Sequence, residues 1–500
     1  MNITSFTSFF KKKPEQLIAL DTILIKKLKT LSKHSNLLVF NDVKIYHHAT
    51  VYAVGLIVLD SRRGLYIFES KEWTYDELKN ANIQKAQNQE HSKDTLAYEI
   101  TQSIIKQKFN ELTHTDGVPI FNYLLMENLN ADEYEHLNDS FKELLPKEKV
   151  IFSDSNEADI LKKLHSATQE QENCPSVDEI MGILLTQYTI LDRQGKMHLC
   201  SDEQRLFMDK PLESITHLTG HHRSGKSNLL LLKAIIELLD KKSDRVLILK
   251  PTVLACDIFK KKLLNIIEHA IVEVDLSNIE ILTPIELLNK HLNKLGKESI
   301  SHLSVPAKLL KKKFSIADVI MCDDSDELPH DFIEYLSHIQ NKATLVLVST
   351  DDSTRANLTQ CFRPEDRKIN FYKTNPHAKA LHIISNLLAQ DNKNIVVVSN
   401  SLTREKLKDD LASFVNKEPI FIDSSQALLN QQFNNLLFCS YTDIHELNAE
   451  HIILMDLCFT SEKQIEYAFN LAHTSVDVLF EEECQEIKNL RSKYEQSSKE

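Results

Sequence analysis

Glycine and tryptophan are scarce in this chain of 500 residues, which contains 8 glycines and a single tryptophan. Any two glycines that fall close together are therefore informative. The 8 cysteines include no Cys-x-x-Cys pair, so we expect reduced thiols in a cytosolic protein, not a zinc site or a disulfide framework. No apolar run approaches the roughly 20 residues that span a bilayer. The first residues, MNITSFTSFFKKK, lack the long apolar stretch of a secretory signal. The sequence thus predicts a cytoplasmic protein with no membrane partner.

Positive charge is also in short supply, because the formal net charge is −13. A nucleic-acid partner would need local basic surface instead. Three lysine runs offer it, at Lys11–Lys13, Lys260–Lys262 and Lys311–Lys313, although each run alone is explained more simply by a solvated helix face. Hydrophobic residues make up 42% of the chain and charged residues 26%, a globular balance. The length predicts roughly two to four domains.

The first 165 residues predict an α+β or α/β domain. Apolar spacing over 15–32 is typical of a helix. Strand-like runs at Tyr52–Leu59 and Gly64–Glu69 flank a short turn, which predicts a hairpin. Residues 166–200 are interpreted as a polar linker followed by a short apolar helix, Val177–Leu191.

From residue 201 onward, strand-like and helix-like segments alternate, which predicts an α/β fold with parallel sheets covered on both faces. Two such series follow each other, and we expect two lobes, at 201–358 and 359–482, and a charged C-terminal tail at 483–500. The predicted strands are Ile215–Thr219, Arg245–Leu249, Ile279–Leu282, Val319–Cys322, Thr344–Ser349, Asn394–Ser399, Pro419–Ile422, Asn435–Cys439 and His451–Met455.

A phosphate-binding loop is the strongest signal in the chain. Gly220 is followed after four residues by Gly225, Lys226 and Ser227, between an apolar strand and a helix. In such a P-loop the backbone N–H groups bind phosphate oxygens, the lysine contacts the β and γ phosphates and the serine hydroxyl binds Mg²⁺. We therefore expect ATP and Mg²⁺ as cofactors. The predicted nucleotide-binding residues of the loop are Gly220, His221, His222, Arg223, Ser224, Gly225, Lys226 and Ser227.

An acidic run supplies the partner that a P-loop needs. Asp323 and Asp324 come directly after the predicted strand Val319–Cys322. We expect Asp323 to bind the metal together with Ser227, and Asp324 to act as the catalytic base. A solvated acidic turn is the alternative.

The order of these motifs resembles superfamily 1 helicases of the UvrD/Rep type, with two RecA-like lobes. The resemblance implies that Gln204 reads adenine, that 249–252 contacts single-stranded DNA, and that Arg363 reaches the γ-phosphate. Asp351–Ser353 is similar to motif III of that family. Aspartate at 324 replaces the usual glutamate.

The late helicase motifs depart further from that family. Residues 440–450 lack the lysine-glycine pair of motif V, and His473 stands where motif VI carries an arginine. Such an arginine contributes orders of magnitude in rate, so its loss argues against efficient hydrolysis.

The N-terminal domain resembles the NERD domain, a nuclease-related relative of restriction endonucleases. The resemblance rests on Glu69, Lys71 and Trp73 after the hairpin, together with a leading helix that contains Glu15. It implies that Glu69 and Lys71 are the remnant of a nuclease site. Gly55 stands where the family places a metal-binding aspartate, which favours a weakened or inactive nuclease, or DNA binding without cleavage. A surface ion pair is the simpler alternative.

Two functions from different classes fit these signals. The first is an ATP-dependent DNA-processing enzyme, a helicase-like motor joined to a nuclease-related domain, acting on DNA with single-stranded ends in repair or in defence against foreign DNA, with a protein partner of such a system. The second is a nucleotide-gated module that binds DNA or a partner with little or no helicase or nuclease activity. A P-loop ATPase unrelated to nucleic acid is a weaker third.

Overall fold

The computed structural model describes residues 22–79, 96–114, 117–170, 175–191, 197–310, 317–339, 343–350, 356–358, 367–390, 394–412, 420–421, 436–445, 447 and 449–496. It divides into two compact units. The N-terminal unit comprises Met1–Cys200 together with Ile267–Val274, and the second comprises Ser201–Ile266 together with Asp275–Glu500.

The N-terminal unit is built on one mixed sheet in the order β1-β2-β3-β4-β5. The first three strands are antiparallel neighbours and the last three are parallel ones. In chain order, the helices and strands are α1 (Ile23–Ser32), β1 (Leu37–His47), β2 (Thr50–Asp60), β3 (Gly64–Lys71), α2 (Tyr75–Lys79), α3 (Leu96–Thr113), β4 (Ile120–Met126), α4 (Ala131–Glu135), α5 (Asp139–Leu144), β5 (Val150–Phe152), α6 (Glu157–Ser166), α7 (Val177–Leu184), β6 (Thr189–Leu191) and β7 (Met197–Leu199).

Both faces of this sheet are buried, as alternation along β2 shows. Leu56 and Val58 pack in one cluster with α1 and α6, whereas Ile57 and Leu59 pack in another with α3 and α7. The predicted hairpin is present as β2 and β3. The segment 166–200 is less of a linker than the sequence suggests, because the apolar side chains of α7 are part of this core. Its helix also ends at Leu184, and residues 189–191 form a strand.

The first lobe of the second unit is a parallel sheet in the order β10-β9-β11-β12-β8. Its strands match the predicted ones to within one residue. The elements are α8 (Asp202–Asp209), β8 (Ile215–Gly220), α9 (Lys226–Leu239), β9 (Val246–Leu249), α10 (Val253–Ala270), β10 (Ile279–Leu282), α11 (Pro284–Lys294), β11 (Val319–Cys322), α12 (His330–Ile339) and β12 (Thr344–Thr350).

The second lobe is another parallel sheet, in the order β13-β18-β17-β14-β16-β15. The α/β class with two parallel-sheet lobes is thus confirmed, and β13 and β18 are additional to the predicted strands. The elements are β13 (Lys368–Lys373), α13 (Pro376–Ala389), β14 (Ile395–Val398), α14 (Ser401–Ala412), β15 (Ile420–Phe421), β16 (Leu436–Cys439), β17 (Ala449–Leu454), α15 (Glu462–Leu471), β18 (Ala472–Phe480) and α16 (Gln485–Gln496).

The charged segment at the C-terminus is a packed helix. α16 buries Ile487 and Leu490 fully in the core of the second lobe, so apolar burial fixes it in spite of its charged sequence. Within the described part of the chain, no helix is both long enough and apolar enough to traverse a bilayer.

Candidate nucleotide-binding site

The P-loop joins the end of β8 to the start of α9 and needs glycine at two points. Gly225 has φ +82°, a left-handed conformation that glycine adopts without a steric penalty. Gly220 is needed for space, because a Cβ there would lie 2.6 Å from Ser224 Oγ and 2.9 Å from Leu358 Cβ. The two glycines of the motif therefore perform different physical tasks in one turn.

Lys226 closes the loop on itself. Its side chain is 8% exposed, and Nζ donates to the carbonyl oxygens of Gly220 at 2.9 Å and His221 at 2.8 Å. Ser227, half-buried, follows in the first turn of α9, whose N-terminus attracts anions. The buried hydroxyl of Ser224 has no hydrogen-bond partner among the described residues. A bound phosphate group would compete with the two carbonyls for the Lys226 ammonium.

Gln204 supports the loop from outside. It is 1% exposed, its Oε1 accepts from the backbone N–H of Ser201 at 2.8 Å, and its Nε2 donates to the carbonyl of Ser224 at 2.7 Å. Ser201 in turn caps α8 by accepting from the Gln204 backbone. Both ends of the Gln204 amide thus bind the protein itself, and its contact with adenine stays a prediction.

The middle residues of the loop touch the second lobe. The ring of His222 lies edge-on to Tyr467, with ring centroids 5.8 Å apart. Arg223, which has φ +64°, donates through Nη2 to the carbonyl of Ala472 at 2.8 Å. The loop that would hold the phosphates is therefore in direct contact with α15 and β18.

The acidic pair lies at the same edge of the sheet as the P-loop. β12 separates β8 from β11, which sets the two strand ends about 10 Å apart. Asp323 is 1% exposed and Asp324 is 9% exposed, with φ +51°. The predicted position of Asp323 at the end of β11 is what the structure has.

A lysine that the sequence did not single out contacts both carboxylates of this pair. Lys250 is fully buried, and its Nζ donates to Asp323 Oδ2 at 2.9 Å and to Asp324 Oδ2 at 3.0 Å. The ammonium also lies 4.8 Å from the centre of the Phe259 ring. Burying a lone charge is costly, so the lysine and the two carboxylates stabilise one another only as a group.

This arrangement affects the binding of Mg²⁺, the cation that the sequence predicts at Ser227 and Asp323. Mg²⁺ prefers carboxylate and other oxygen ligands with near-octahedral geometry. Here one oxygen of each aspartate accepts a charge-assisted hydrogen bond from Lys250, which already supplies positive charge between them. As arranged, the two aspartates do not fit Mg²⁺ unless the Lys250 ammonium is displaced.

His445 extends the cluster to the second lobe. It is 6% exposed, its Nε2 lies 3.0 Å from Glu327 Oε2, and its Nδ1 lies 4.0 Å from Asp324 Oδ2. Burial lowers the pKa of His445, but the hydrogen bond that its ring donates to Glu327 and the charges of Glu327 and Asp324 outweigh burial, so the pKa is raised. Its ring also stands 4.9 Å from that of Tyr467.

The sequence identified neither Lys250 nor His445 as a partner of the acidic pair. Lys250 follows an apolar strand, and the register Leu249↔Cys322 sets it beside Asp323. The resemblance at 249–252 implies a contact with DNA instead, whereas Thr252 caps α10 by accepting from the backbone of Ala255. His445 lies in 440–450, the segment noted only for what it lacks.

Several predicted residues lie outside the described part of the chain: Arg363, Asp351–Ser353, Glu15 and the lysine runs at 11–13 and 311–313. His473 is described and lies in β18, next to Ala472, the acceptor of the Arg223 hydrogen bond. The lysine run at 260–262 is part of α10, where Lys260 pairs with Asp257 at 3.3 Å.

The nuclease-like residues of the N-terminal unit pair with each other. Glu69 and Lys71 form an ion pair, and Lys71 Nζ lies 5.4 Å from the centre of the Trp73 ring. Asp60 does not take the place of the family aspartate at whose position Gly55 stands. It pairs with Gly64 at the opposite end of β3 from Glu69, about 16 Å along the strand.

No protein-family model matches the sequence, and no curated protein matches it. Three solved structures illustrate what the fold is similar to. S. cerevisiae Dbp5 bound to RNA and ADP BeF3 is 9% identical with a TM-score of 0.43, over 59% of this chain and 87% of that chain. The Escherichia coli DEAH/RHA helicase HrpB is 10% identical with a TM-score of 0.38, over 56% and 42%. The Mycobacterium smegmatis helicase Lhr bound to ssDNA and AMP-PNP is 13% identical with a TM-score of 0.37, over 53% and 43%. Likeness at this level assigns neither a family nor an activity.

Proposed function

We propose that this chain is an ATP-binding protein of the helicase type, in which the nucleotide acts on the contact between two lobes that handle nucleic acid. The P-loop carries the proposal. Gly220 and Gly225 shape the turn, Lys226 is held inside it, and the N-terminus of α9 offers backbone N–H groups to phosphate. A bound nucleotide would act on the second lobe through His222 and Arg223, which contact it directly.

In the first version of this function, ATP turnover drives movement along DNA, as in the UvrD/Rep-type helicases that the motifs resemble. In this version, five residues would bind the nucleotide and its metal and catalyse hydrolysis: Gln204, Lys226, Asp323, Asp324 and, as the resemblance implies, Arg363. Repair and defence against foreign DNA, with a protein partner, are the settings that such a motor would serve.

In the second version, ATP binds and gates the grip on nucleic acid or on a partner with little or no turnover. A specific observation favours it: Lys250 holds both aspartates that a motor would use for Mg²⁺ and for the attacking water. The histidine at position 473 points the same way, because a transition-state arginine is expected there.

The N-terminal unit would contribute binding to DNA without cleavage. Its ion pair between Glu69 and Lys71 is intact, but Gly55 supplies no carboxylate and Asp60 lies at the far end of the hairpin. A metal-dependent nuclease needs several oxygen ligands that converge on one point.

The test measures ATP binding and ATP hydrolysis in parallel, with and without Mg²⁺, single-stranded DNA and single-stranded RNA. Lys226→Ala removes the P-loop cation, and Lys294→Ala removes an exposed lysine of the same lobe as a matched control. We expect the first to weaken ATP binding at least tenfold and the second to leave it unchanged.

The outcomes separate the two versions. Turnover that nucleic acid stimulates and Lys226→Ala abolishes would establish the motor. Binding of ATP without turnover, and with little dependence on Mg²⁺, would establish the gate. Equal ATP binding by the parent and Lys226→Ala would overturn the assignment of the P-loop.

A further inference from the structure

A second cluster of chemically active side chains belongs to the N-terminal unit, which does not contain the P-loop. His47 and His48 stand at the end of β1, and Glu111 faces them from α3. His47 Nε2 lies 3.4 Å from Glu111 Oε2, and His48 Nε2 lies 3.8 Å from Glu111 Oε1. One ligand atom from each residue falls within 4.8 Å of the others.

The backbone at His48 is what brings two neighbouring imidazoles to one point. Successive side chains of a strand point to opposite faces. His48 instead has φ +50°, so its ring turns back toward that of His47, and the two ring centroids are 4.3 Å apart. The left-handed conformation is fixed on both sides, because His48 N–H donates to Ile271 O at 2.7 Å and its carbonyl accepts from Glu273 at 3.0 Å.

The helix that carries Glu111 is also tied to β1. One turn earlier on α3, the fully buried Lys108 donates from Nζ to the carbonyl of Tyr46 at 2.6 Å, next to His47 in the chain. This bond ties α3 to the end of β1. The backbone of Glu111 is therefore held beside the two histidines.

His47 Nε2 is a buried polar atom that a ligand would satisfy. The residue is 6% exposed, and Nε2 is buried with no hydrogen-bond partner among the described residues, although Glu111 is close. A buried polar atom without a partner is costly in a folded protein. A metal ion between His47, His48 and Glu111 would satisfy it.

We propose that His47, His48 and Glu111 bind a divalent transition-metal ion, Zn²⁺ in the first instance. Two imidazoles and one carboxylate are a donor set that Zn²⁺ accepts, with a fourth tetrahedral position left for water. Ligand atoms about 2.0–2.1 Å from Zn²⁺ lie about 3.4 Å apart in a tetrahedron, which is the separation of His47 Nε2 and Glu111 Oε2; His48 would move closer on binding. The site joins the β1–β2 hairpin to α3.

Glu273 completes the arrangement as an orienting residue. Its Oε1 lies 3.1 Å from His48 Nδ1, so His48 can donate Nδ1–H to this carboxylate and offer Nε2 to the metal. A carboxylate behind a histidine ligand is the usual partner in zinc sites and fixes the tautomer. Glu273 belongs to the segment Ile267–Val274, which is part of the N-terminal unit.

The experiment uses the full chain, stripped of metal with a chelator and titrated with Zn²⁺ in a calorimeter, and with Co²⁺ in an absorption spectrometer. We expect one Zn²⁺ per chain, a tetrahedral Co²⁺ spectrum, and no competition from excess Mg²⁺, which prefers oxygen ligands. Glu273→Gln should weaken Zn²⁺ binding by about 10- to 100-fold. His48→Gln and Glu111→Gln should weaken it further.

His34→Gln, which removes an exposed histidine of the same unit, is the matched control and should leave the affinity unchanged. The proposal is overturned if the parent shows no saturable binding, or if His34→Gln weakens binding as much as Glu111→Gln does. Circular dichroism checks that each variant folds. Glu273 has a side chain 68% exposed, so its variant decides the question even if a ligand variant unfolds.

Discussion

Lys250 and Asp323 are 73 residues apart in the chain and 2.9 Å apart in space, and both are almost fully removed from solvent. The contact crosses two neighbouring strands, β9 and β11. Since neither charge contacts water, each depends on the other for its stability, and the pair cannot be altered on one side without consequence.

Replacing Lys250 by methionine should lower the free energy of unfolding by about 3–5 kcal/mol, because two carboxylates are left buried without a counter-charge. Chemical denaturation measures the loss. The triple variant in which Asp323 and Asp324 also become asparagine should recover most of it, since no uncompensated charge remains. A Lys250→Met protein as stable as the parent would show that the lysine does not hold the pair.

Gly225→Ala and Gly296→Ala form a matched pair of substitutions. Both glycines have positive φ, +82° and +64°, and nothing lies within 4 Å of a Cβ at Gly296. Each variant should lose about 1–2 kcal/mol of stability from left-handed strain. Only Gly225→Ala should also weaken binding of a fluorescent ATP analogue, because only Gly225 shapes the phosphate loop. Equal ATP affinity in both variants would separate this glycine from nucleotide binding.

His445→Gln should destabilise the protein in a pH-dependent way. The pKa of His445 is raised in the folded state, since Glu327 and Asp324 outweigh burial and the opposing charge of Lys250. Its stabilising contribution is therefore fully present below the ordinary histidine pKa of about 6.5 and is lost as pH rises through the raised value. Free energies of unfolding of parent and variant, from urea titration, should differ most near about pH 6, by about 1.5–3 kcal/mol, and converge in alkaline solution. A gap that widens with rising pH would contradict the assignment.

The N-terminal unit should not cleave linear or circular DNA with Mg²⁺ or Mn²⁺, because Glu69 has no second carboxylate at the position of Gly55. Gel assays of the parent and of Glu69→Ala test this directly. Cleavage by the parent that disappears in Glu69→Ala would show that the site is active. We expect the parent to bind DNA in the same samples without cleaving it.

The sequence predicts best where the signal is local. Short runs of neighbouring residues are sufficient to predict the strands of the first lobe, the P-loop and the position of Asp323. β1 was not predicted because polar side chains such as Asn41 and Lys44 interrupt its apolar pattern. The run at 177–191 was assigned to one helix because an apolar stretch does not distinguish a helix from a buried strand.

Contacts between distant segments were beyond such reasoning. Nothing in the sequence near Lys250 or His445 indicates a partner, since Asp323 is 73 residues from Lys250 and Glu327 lies in the other lobe from His445. The pairing of β9 with β11 determines the first contact, and the packing of the second lobe determines the other. Lys250 and His445 alter the expected chemistry of the acidic pair, because both lie against its carboxylates.

The variable positions of the P-loop offer a handle for protein engineering. A phosphate cradle depends on its glycines, its lysine and its backbone, and tolerates many side chains at the intervening positions. In this chain two of those intervening residues, His222 and Arg223, meet Tyr467 and the Ala472 carbonyl. On the proposed function, redesign of 222 and 223 should leave nucleotide binding intact while removing the direct contacts of the loop with the second lobe.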